Sequence, residues 1–522
     1  VPTLFEKPFL DSHRFRYVRN SKNRHVVMDE NNIILPPIEN PVNNKEYRSV
    51  WGPLFVNDFY PLKADDRGLF GCVRRLTAVR KPEVHNLHNE LVVNQYNFIR
   101  NNPLLEQAVA ILKNRYRYIL SQYDREELLQ EWYDTPMPKK KLRKIARNQI
   151  EHNMVDNTYV TVIDYKCKKG EFLKRDKYLR GIGDLTTPGS VRAAFMIPPL
   201  KKCMQDVIID GDNRLDFVKD SSNESLVKCF QLLWQNNRGI VMQQFSDDSC
   251  VSVFLDKLYV YNMDISSCDG SNYDPVFSVL YDIMSVDDRF YFDVNGVFKQ
   301  LKKDLVLKFS DFKIRMKSDF YKLPSGSSLT TMINNIANLF IFVSLLNNRL
   351  LINADNISDV IEASAASAGF IVKLQLCEVP EDTQFLKHSP YFDEEGVCHP
   401  FLNLGVPLRS FGSCVGDLPG KFSKSIFETR NSEIARSYKH AGNCSFYNVF
   451  RDRFVINNRK IFSDIEERGG ADTYYIPDEA LLRRYKITQA ELDELLDVIL
   501  HSEMGHAYSC RGIDAVISVD YG

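Results

Sequence analysis

The sequence predicts an α+β protein, an antiparallel sheet edged with aspartates and set between helical regions. Three observations predict it. Apolar-leaning, strand-like runs occupy Gly239–Phe254 (GIVMQQFSDDSCVSVF) and Tyr259–Asp264 (YVYNMD). Helical periodicity runs through about 84–134, as in Leu104, Leu105, Ala108, Ile111 and Leu112. Helical pattern returns in the last 120 or so residues, where Thr488-Gln-Ala-Glu491 reads as a capping box.

At 522 residues the chain is expected to hold about three to four folding units. Lys and Arg total 67 against 68 Asp and Glu, so the net charge is −1. That excludes a polycation that coats nucleic acid by bulk charge, but not a local basic channel. Hydrophobic content of 44% and charged content of 26% describe a globular chain, not a disordered one. Mean hydropathy is −0.30, and no uncharged apolar run approaches the ~18 residues of a membrane span. Leu339–Leu346 (LFIFVSLL) reads as a buried helix. The first residues carry neither a signal-type apolar region nor an initiator Met, which reads as a processed or trimmed product. The 11 cysteines are odd in number and lack any Cys-x-x-Cys, so reduced, cytosolic cysteine is expected.

Residues 1–80 are rich in Asn, Pro and aromatics and read as an extended arm. After the helical stretch comes a breaker, Thr135–Pro138, then a basic run from Lys139 to Arg147 and a second basic block at 166–180. Each basic segment reads either as a solvated face or as an RNA-facing surface. Residues 223–238 read as a helix stopped by Gly239.

The chemistry sits in the middle. Ser246-Asp247-Asp248 forms the tip of a predicted hairpin. From Ser249 one arm descends six residues to Phe254, four residues turn, and six residues climb back to Asp264. At ~3.3 Å per residue each arm is about 20 Å long, so Asp264 returns to the level of Asp247 and Asp248. Three carboxylates on one sheet edge repel and raise one another's pKa unless a divalent cation joins them. Hard oxygen ligands suit Mg²⁺ or Mn²⁺, and two such ions suit in-line phosphoryl transfer. Farther on, Thr330 and Asn334 lie four apart on a predicted helix fed by the Ser325-Gly326 loop. A carboxylate (Asp269), a hydroxyl and an amide meeting at one spot would satisfy both hydroxyls of a ribose.

These residues resemble the palm motifs of viral RNA-directed RNA polymerases. Asp264-x4-Asp269 is similar to motif A, Ser325-Gly326-x3-Thr330-x3-Asn334 to motif B, and Ser246-Asp247-Asp248 to motif C. The basic stretch from Lys169 to Arg180 resembles motif F, Phe370–Leu374 motif D and Phe385-Leu386-Lys387 motif E. Motif C precedes motif A, as in the permuted palm of permutotetraviruses and birnaviruses. A competing placement of motif C at Ala354-Asp355-Asn356 conflicts with Asn356 as a helix N-cap and with the 14 residues left before Gly369.

The resemblance implies a right-hand polymerase with an antiparallel palm sheet, helical fingers and a helical thumb. It implies an N-terminal arm at 1–80, fingers at 81–238, a palm at 239–394 with 275–322 partly fingers, and a thumb at 395–522. The implied reaction is RNA synthesis replicating a viral RNA genome, with two Mg²⁺, or Mn²⁺ as a substitute. Asp247, Asp248 and Asp264 would be the catalytic metal ligands. Asp269, Ser325, Thr330 and Asn334 would read the ribose, and Lys174 and Arg180 would hold the triphosphate. Lys373 is the candidate general acid toward pyrophosphate, while Gly326 and Lys387 are candidate RNA contacts. Lys168, Lys169, Arg175 and Lys177 divide evenly between phosphate contact and solvated loop. Implied partners are RNA template, nascent RNA, ribonucleoside triphosphates and other viral replication proteins. The implied location is the host cytoplasm, with carriage in the virion as a second possibility. A reverse transcriptase-like palm and an inactive, RNA-binding palm relic stand as alternatives.

Other patterns fail on spacing. Gly416–Lys421 is one residue short of a P-loop, and His501–His506 lacks the His-Glu-x-x-His order. Cys398, His399, His440, Cys444 and Cys510 lack the paired spacing of a zinc site.

Overall fold

The computed structural model describes residues 95–135, 193–302 and 329–411 continuously, most of 424–522, residues 53–55, and short strands and single positions elsewhere. Its centre is a six-stranded sheet. The strands are β1 (Val207–Ile209), β2 (Asn213–Phe217), β3 (Ile240–Phe245), β4 (Asp248–Phe254), β5 (Leu258–Ile265) and β6 (Val372–Cys377). Spatial order follows chain order, from β1 at one edge to β6 at the other. Every pairing is antiparallel except β2–β3. A parallel pair needs a crossover, and the chain between β2 and β3 contains the helix Asn223–Trp234.

The helical reading of 81–238 gives way at 207–217 to the β1–β2 hairpin, so the sheet begins before Gly239. Its turn signal was present in Asp210-Gly211-Asp212-Asn213. The expected helix at 223–238 ends at Trp234, short of Gly239.

Five helices position the sheet: α1 (Pro103–Ser121), α2 (Asn223–Trp234), α3 (Asp274–Met284), α4 (Thr330–Asn347) and α5 (Ile357–Ser367). Strand alternation separates two faces. Met242, Val251, Val253, Tyr261, Met263 and Ile265 join one core with α1, α3, α4 and α5. Val241 and Cys250 point the other way, against Leu226, Phe230 and Leu233 of α2 and against Phe385 and Cys398. Each fully buried Leu or Phe contributes roughly 1.5–3 kcal/mol.

Helix α4 is buried on every side from Met332 to Leu346. Among the described residues it is the one helix long and apolar enough to cross a membrane, yet 83% of it is buried inside the protein. The expected buried helix at Leu339–Leu346 is its second half.

A separate four-stranded sheet runs Lys313–Met316, Leu305–Lys308, Asp164–Cys167, Gly181–Asp184. It joins the stretch containing the second basic block to the chain inserted between Asp269 and Thr330. Toward the C-terminus, helices Lys424–Ser437, Ser445–Phe454, Asp478–Tyr485, Gln489–Leu500 and Arg511–Tyr521 follow one another. A second core here gathers Phe401, Leu408, Phe411, Phe450, Leu495 and Val516, and Phe55 inserts into it from the N-terminal stretch. Leu54 is stitched beside Phe55, donating to His506 O and accepting from Tyr508 N. Of the expected capping box, one half forms: Thr488 caps Glu491 N at 3.2 Å, while its hydroxyl lies 3.2 Å from the Glu491 carboxylate.

After α5 the chain turns at Gly369, whose φ of +92° disfavours any side chain; a Cβ there would lie 2.5 Å from Gln95 Cγ. Gln95 is itself committed, donating to Ser271 O at 2.8 Å and accepting from Tyr273 N at 3.1 Å. Gly369→Ala is therefore expected to destabilise the fold by roughly 1–3 kcal/mol, read from urea unfolding midpoints at constant slope.

Candidate active site

The β3–β4 hairpin closes in two residues. Phe245 pairs with Asp248, leaving Ser246 and Asp247 as the turn. Ser246 has φ +55°, a left-handed backbone that costs a non-glycine residue about 1–2 kcal/mol. Helix α4 offsets that cost. Asn335 Oδ1 accepts from Ser246 N at 3.0 Å, Asn338 Nδ2 donates to Ser246 O at 2.6 Å, and Asn334 Nδ2 donates to Ser246 Oγ at 3.2 Å. Gln244 completes the grip, donating to Asn335 Oδ1 and accepting from Asn338 Nδ2, each at 2.7 Å.

The ladder next to the tip sets the carboxylates. Asp248 on β4 faces Asp264 on β5, and Asp264 faces Lys373 on β6. Directly opposed residues point to one face of a sheet, so the three form a row beside the tip that carries Asp247. The equal-arm expectation for Asp264 holds, although the far turn is one residue shorter, with Phe254 opposite Leu258.

Asp247 and Asp264 are exposed and Asp248 is half-buried. Asp248 Oδ2 accepts from Leu386 N at 2.7 Å. Burial pushes the Asp248 carboxyl up to about 7; the Leu386 amide and Lys387 pull against this, while the charges of Asp247 and Asp264 add to it. Lys387 is exposed, and its ammonium lies 4.4 Å from the Tyr521 ring.

Asp269 follows β5 in a short helix, Cys268–Ser271, and accepts from Asn334 Nδ2 at 2.9 Å. Asn334 is 1% exposed. Its Oδ1 accepts from Asn272 Nδ2 at 3.1 Å and Cys268 Sγ at 3.3 Å. Thr330 opens α4, one turn before Asn334 on the same helix. Asp269 and Asn334 therefore meet, with Asn334 buried behind Asp269.

Other expected residues are placed less fully. Lys174 ends strand Phe172–Lys174, opposite Phe59, and its side chain lies outside the described residues. Ser325, Gly326, Arg180, Lys168, Lys169, Arg175 and Lys177 also lie outside them. The competing Asp355 sits in an exposed turn where Asn353 Oδ1 accepts from Asp355 N at 2.9 Å, just ahead of α5.

Sequence reasoning missed Asn335, Asn338 and Gln244. The available signal was the polar set Asn334, Asn335 and Asn338 inside an otherwise apolar helix. It also missed Lys201, a lysine packed toward Phe245 with Nζ 6.0 Å from the ring centroid and its pKa lowered by burial.

No protein-family model and no curated protein matches this sequence. Among solved structures, the chain is similar to the birnavirus VP1–VP3 complex, with TM-score 0.43 and 11% identity over 61% of this chain and 48% of that one. It is also similar to the RNA polymerase VP1 from Infectious Pancreatic Necrosis Virus, with TM-score 0.40 and 11% identity over 87% of this chain and 57% of that one. The chain thus spans about half the length of the proteins it resembles. Both TM-scores lie below 0.5, so the functional reading rests on the geometry of the tip.

Among the described residues, no three His, Cys, Asp or Glu side chains already converge as a metal-holding group. The donor chemistry nevertheless fits a hard divalent cation: acidic oxygens only, at one end of two adjacent strands, two of them directly opposed and mutually repelling.

Asp248 titrates higher in the fold than its ordinary value of about 3.9, so the folded state holds the proton more tightly. The stability it contributes is complete below about pH 4 and lost as pH rises to about 7. In divalent-free buffer, the fall in thermal midpoint between pH 5 and pH 7.5 is expected to be smaller in Asp248→Asn than in the wild type.

Proposed function

We propose that this chain is the catalytic body of a template-directed RNA polymerase that replicates a viral RNA genome. The observation that carries the reading is the register of Asp248 with Asp264 beside a tip bearing Asp247, while Asn334 holds Asp269 at 2.9 Å next to the same tip. One end of the central strands then offers a phosphoryl-transfer site beside a sugar-reading group.

In this reading Asp247 and Asp264 hold two Mg²⁺, which Mn²⁺ can replace, and Asp248 supports the second ion or the primer end. When bound, the ions stabilise the charge on the attacking and leaving oxygens. The reaction is attack of an RNA 3′-hydroxyl on the α-phosphate of a ribonucleoside triphosphate, with pyrophosphate leaving. Asp269 reads the ribose together with Ser325 and Thr330. Asn334, with its amide already bonded on both atoms, orients Asp269 from behind. Lys373, facing Asp264 across the sheet, protonates the leaving pyrophosphate. Lys174 and Arg180 hold the triphosphate, and Gly326 and Lys387 contact RNA.

The six-stranded sheet is the palm, the helical and basic regions before it are the fingers, and the C-terminal helices are the thumb. Template RNA, nascent RNA, ribonucleoside triphosphates and viral replication proteins are the partners, in the cytoplasm of the infected cell.

Primed-template extension with magnesium tests the reading. Asp247→Ala and Asp264→Ala should each lower incorporation by roughly 100-fold or more while RNA affinity stays near wild type, because phosphate contacts come from the basic segments. Near wild-type elongation in either variant removes that residue from the mechanism. Asn334→Ala should narrow the preference for ribonucleotides over deoxyribonucleotides, since it releases Asp269; unchanged discrimination counts against this role. An inactive relic would show no divalent-dependent incorporation at all.

A further inference from the structure

Asp248 is held by a peptide whose own position needs explaining. Phe385 and His388 close a tight turn, with Phe385 N donating to His388 O at 3.0 Å and His388 N to Phe385 O at 2.9 Å. The two residues between them, Leu386 and Lys387, have φ of +49° and +63°, a region that side chains with a Cβ rarely adopt. This backbone aims the Leu386 N–H at Asp248 Oδ2, 2.7 Å away.

His388 secures the other side of that turn. It is 2% exposed. Gly470 N donates to its Nε2 at 2.9 Å, so Nε2 is the acceptor and the ring proton sits on Nδ1. Nδ1 then donates to Leu386 O at 2.7 Å. Burial drops the His388 pKa to about 4, which keeps the ring neutral in this tautomer at ordinary pH.

The Gly470 end is itself fixed. A Cβ on Gly470 would lie 2.0 Å from Ser221 O. The flanking backbone is bonded at 2.8 Å twice, Arg468 N to Ser437 O and Ala471 N to His440 O. A continuous relay therefore runs from Gly470 through the His388 ring to the Leu386 carbonyl, and across the Leu386 backbone from its N–H to one oxygen of Asp248.

We infer that His388 is a positioning residue: by holding the Leu386 carbonyl it fixes the left-handed backbone of Leu386, so that the Leu386 N–H on the other side of the same Cα sets the orientation of the Asp248 carboxylate. The role rests on the polymerase reading, but the relay does not. Any catalysis at Asp248 would then depend on a segment, 468–471, that in this relay reaches the aspartate only through His388 and Leu386.

His388→Phe keeps a ring and removes both bonds; His388→Asn returns an N–H donor near the place of Nδ1. In primed-template extension, His388→Phe should lower kcat by roughly 10–100-fold, the usual cost of losing a supporting hydrogen bond behind a ligand. KM for the nucleotide and RNA affinity should stay near wild type, and His388→Asn should recover most of kcat. Amide hydrogen exchange supplies a readout without activity: the Leu386 N–H should lose protection in His388→Phe and in Asp248→Ala, and keep it in His388→Asn. Should His388→Phe fail to fold, His388→Gln replaces it, since its longer amide can meet Gly470 without the geometry to reach Leu386 O. A folded variant lacking the donor, yet with wild-type kcat and a wild-type Leu386 amide, overturns the inference. So does a loss of kcat that follows thermal stability and that His388→Asn does not restore. Failure of the polymerase reading looks different: the wild-type protein incorporates no nucleotide, while Leu386 exchange still reports on the relay.

Discussion

Three asparagines of one helix take hold of every polar atom of Ser246, and the rest of the site depends on that grip. Asn335 receives its amide, Asn338 its carbonyl and Asn334 its hydroxyl. The partners lie in a helix otherwise buried in apolar surroundings, where an unpaired amide costs about 1–3 kcal/mol. Sliding the helix or reshaping the hairpin would break several such bonds together. The strained turn is therefore held in one shape, and the register behind it follows.

That register sets the electrostatics. The ladder puts Asp248 opposite Asp264 and leaves Asp247 at the adjacent tip; burial raises the Asp248 pKa, and the charges of these two neighbours add to the rise. The protein answers with one backbone amide and one nearby lysine, which relieve part of the repulsion and leave the rest. The residual repulsion favours a counter-cation, and the exposure of Asp247 and Asp264 leaves them accessible to one.

The arrangement also shows why the order of segments along the chain matters little. Antiparallel strands joined by short turns return to the same level whichever strand comes first. The tip hairpin precedes Asp264 in sequence, and the helix that grips it comes far later, yet all three meet at one end of the central strands. Asp355 also lies after that helix, in an exposed turn closed by Asn353 just ahead of α5.

Local pattern alone made much of this legible. Period-2 runs and a short turn brought Asp247, Asp248 and Asp264 to one edge, because strand rise is nearly constant and equal arms must end level. The four-residue spacing of Thr330 and Asn334 put them one turn apart on a helix, because helical geometry repeats locally. What no local rule contains is which distant groups satisfy a buried amide. Asn334 turned out to be spent on Ser246, Asp269, Asn272 and Cys268, and Asn335 and Asn338 were invisible as stitches. The β1–β2 hairpin joined the sheet through a parallel pairing across a helix, which depends on how α2 packs. The Leu386 amide reaching Asp248 spans 138 residues. Such contacts arise because leaving a buried polar group unpaired is costly, and only the folded chain decides which partner is near.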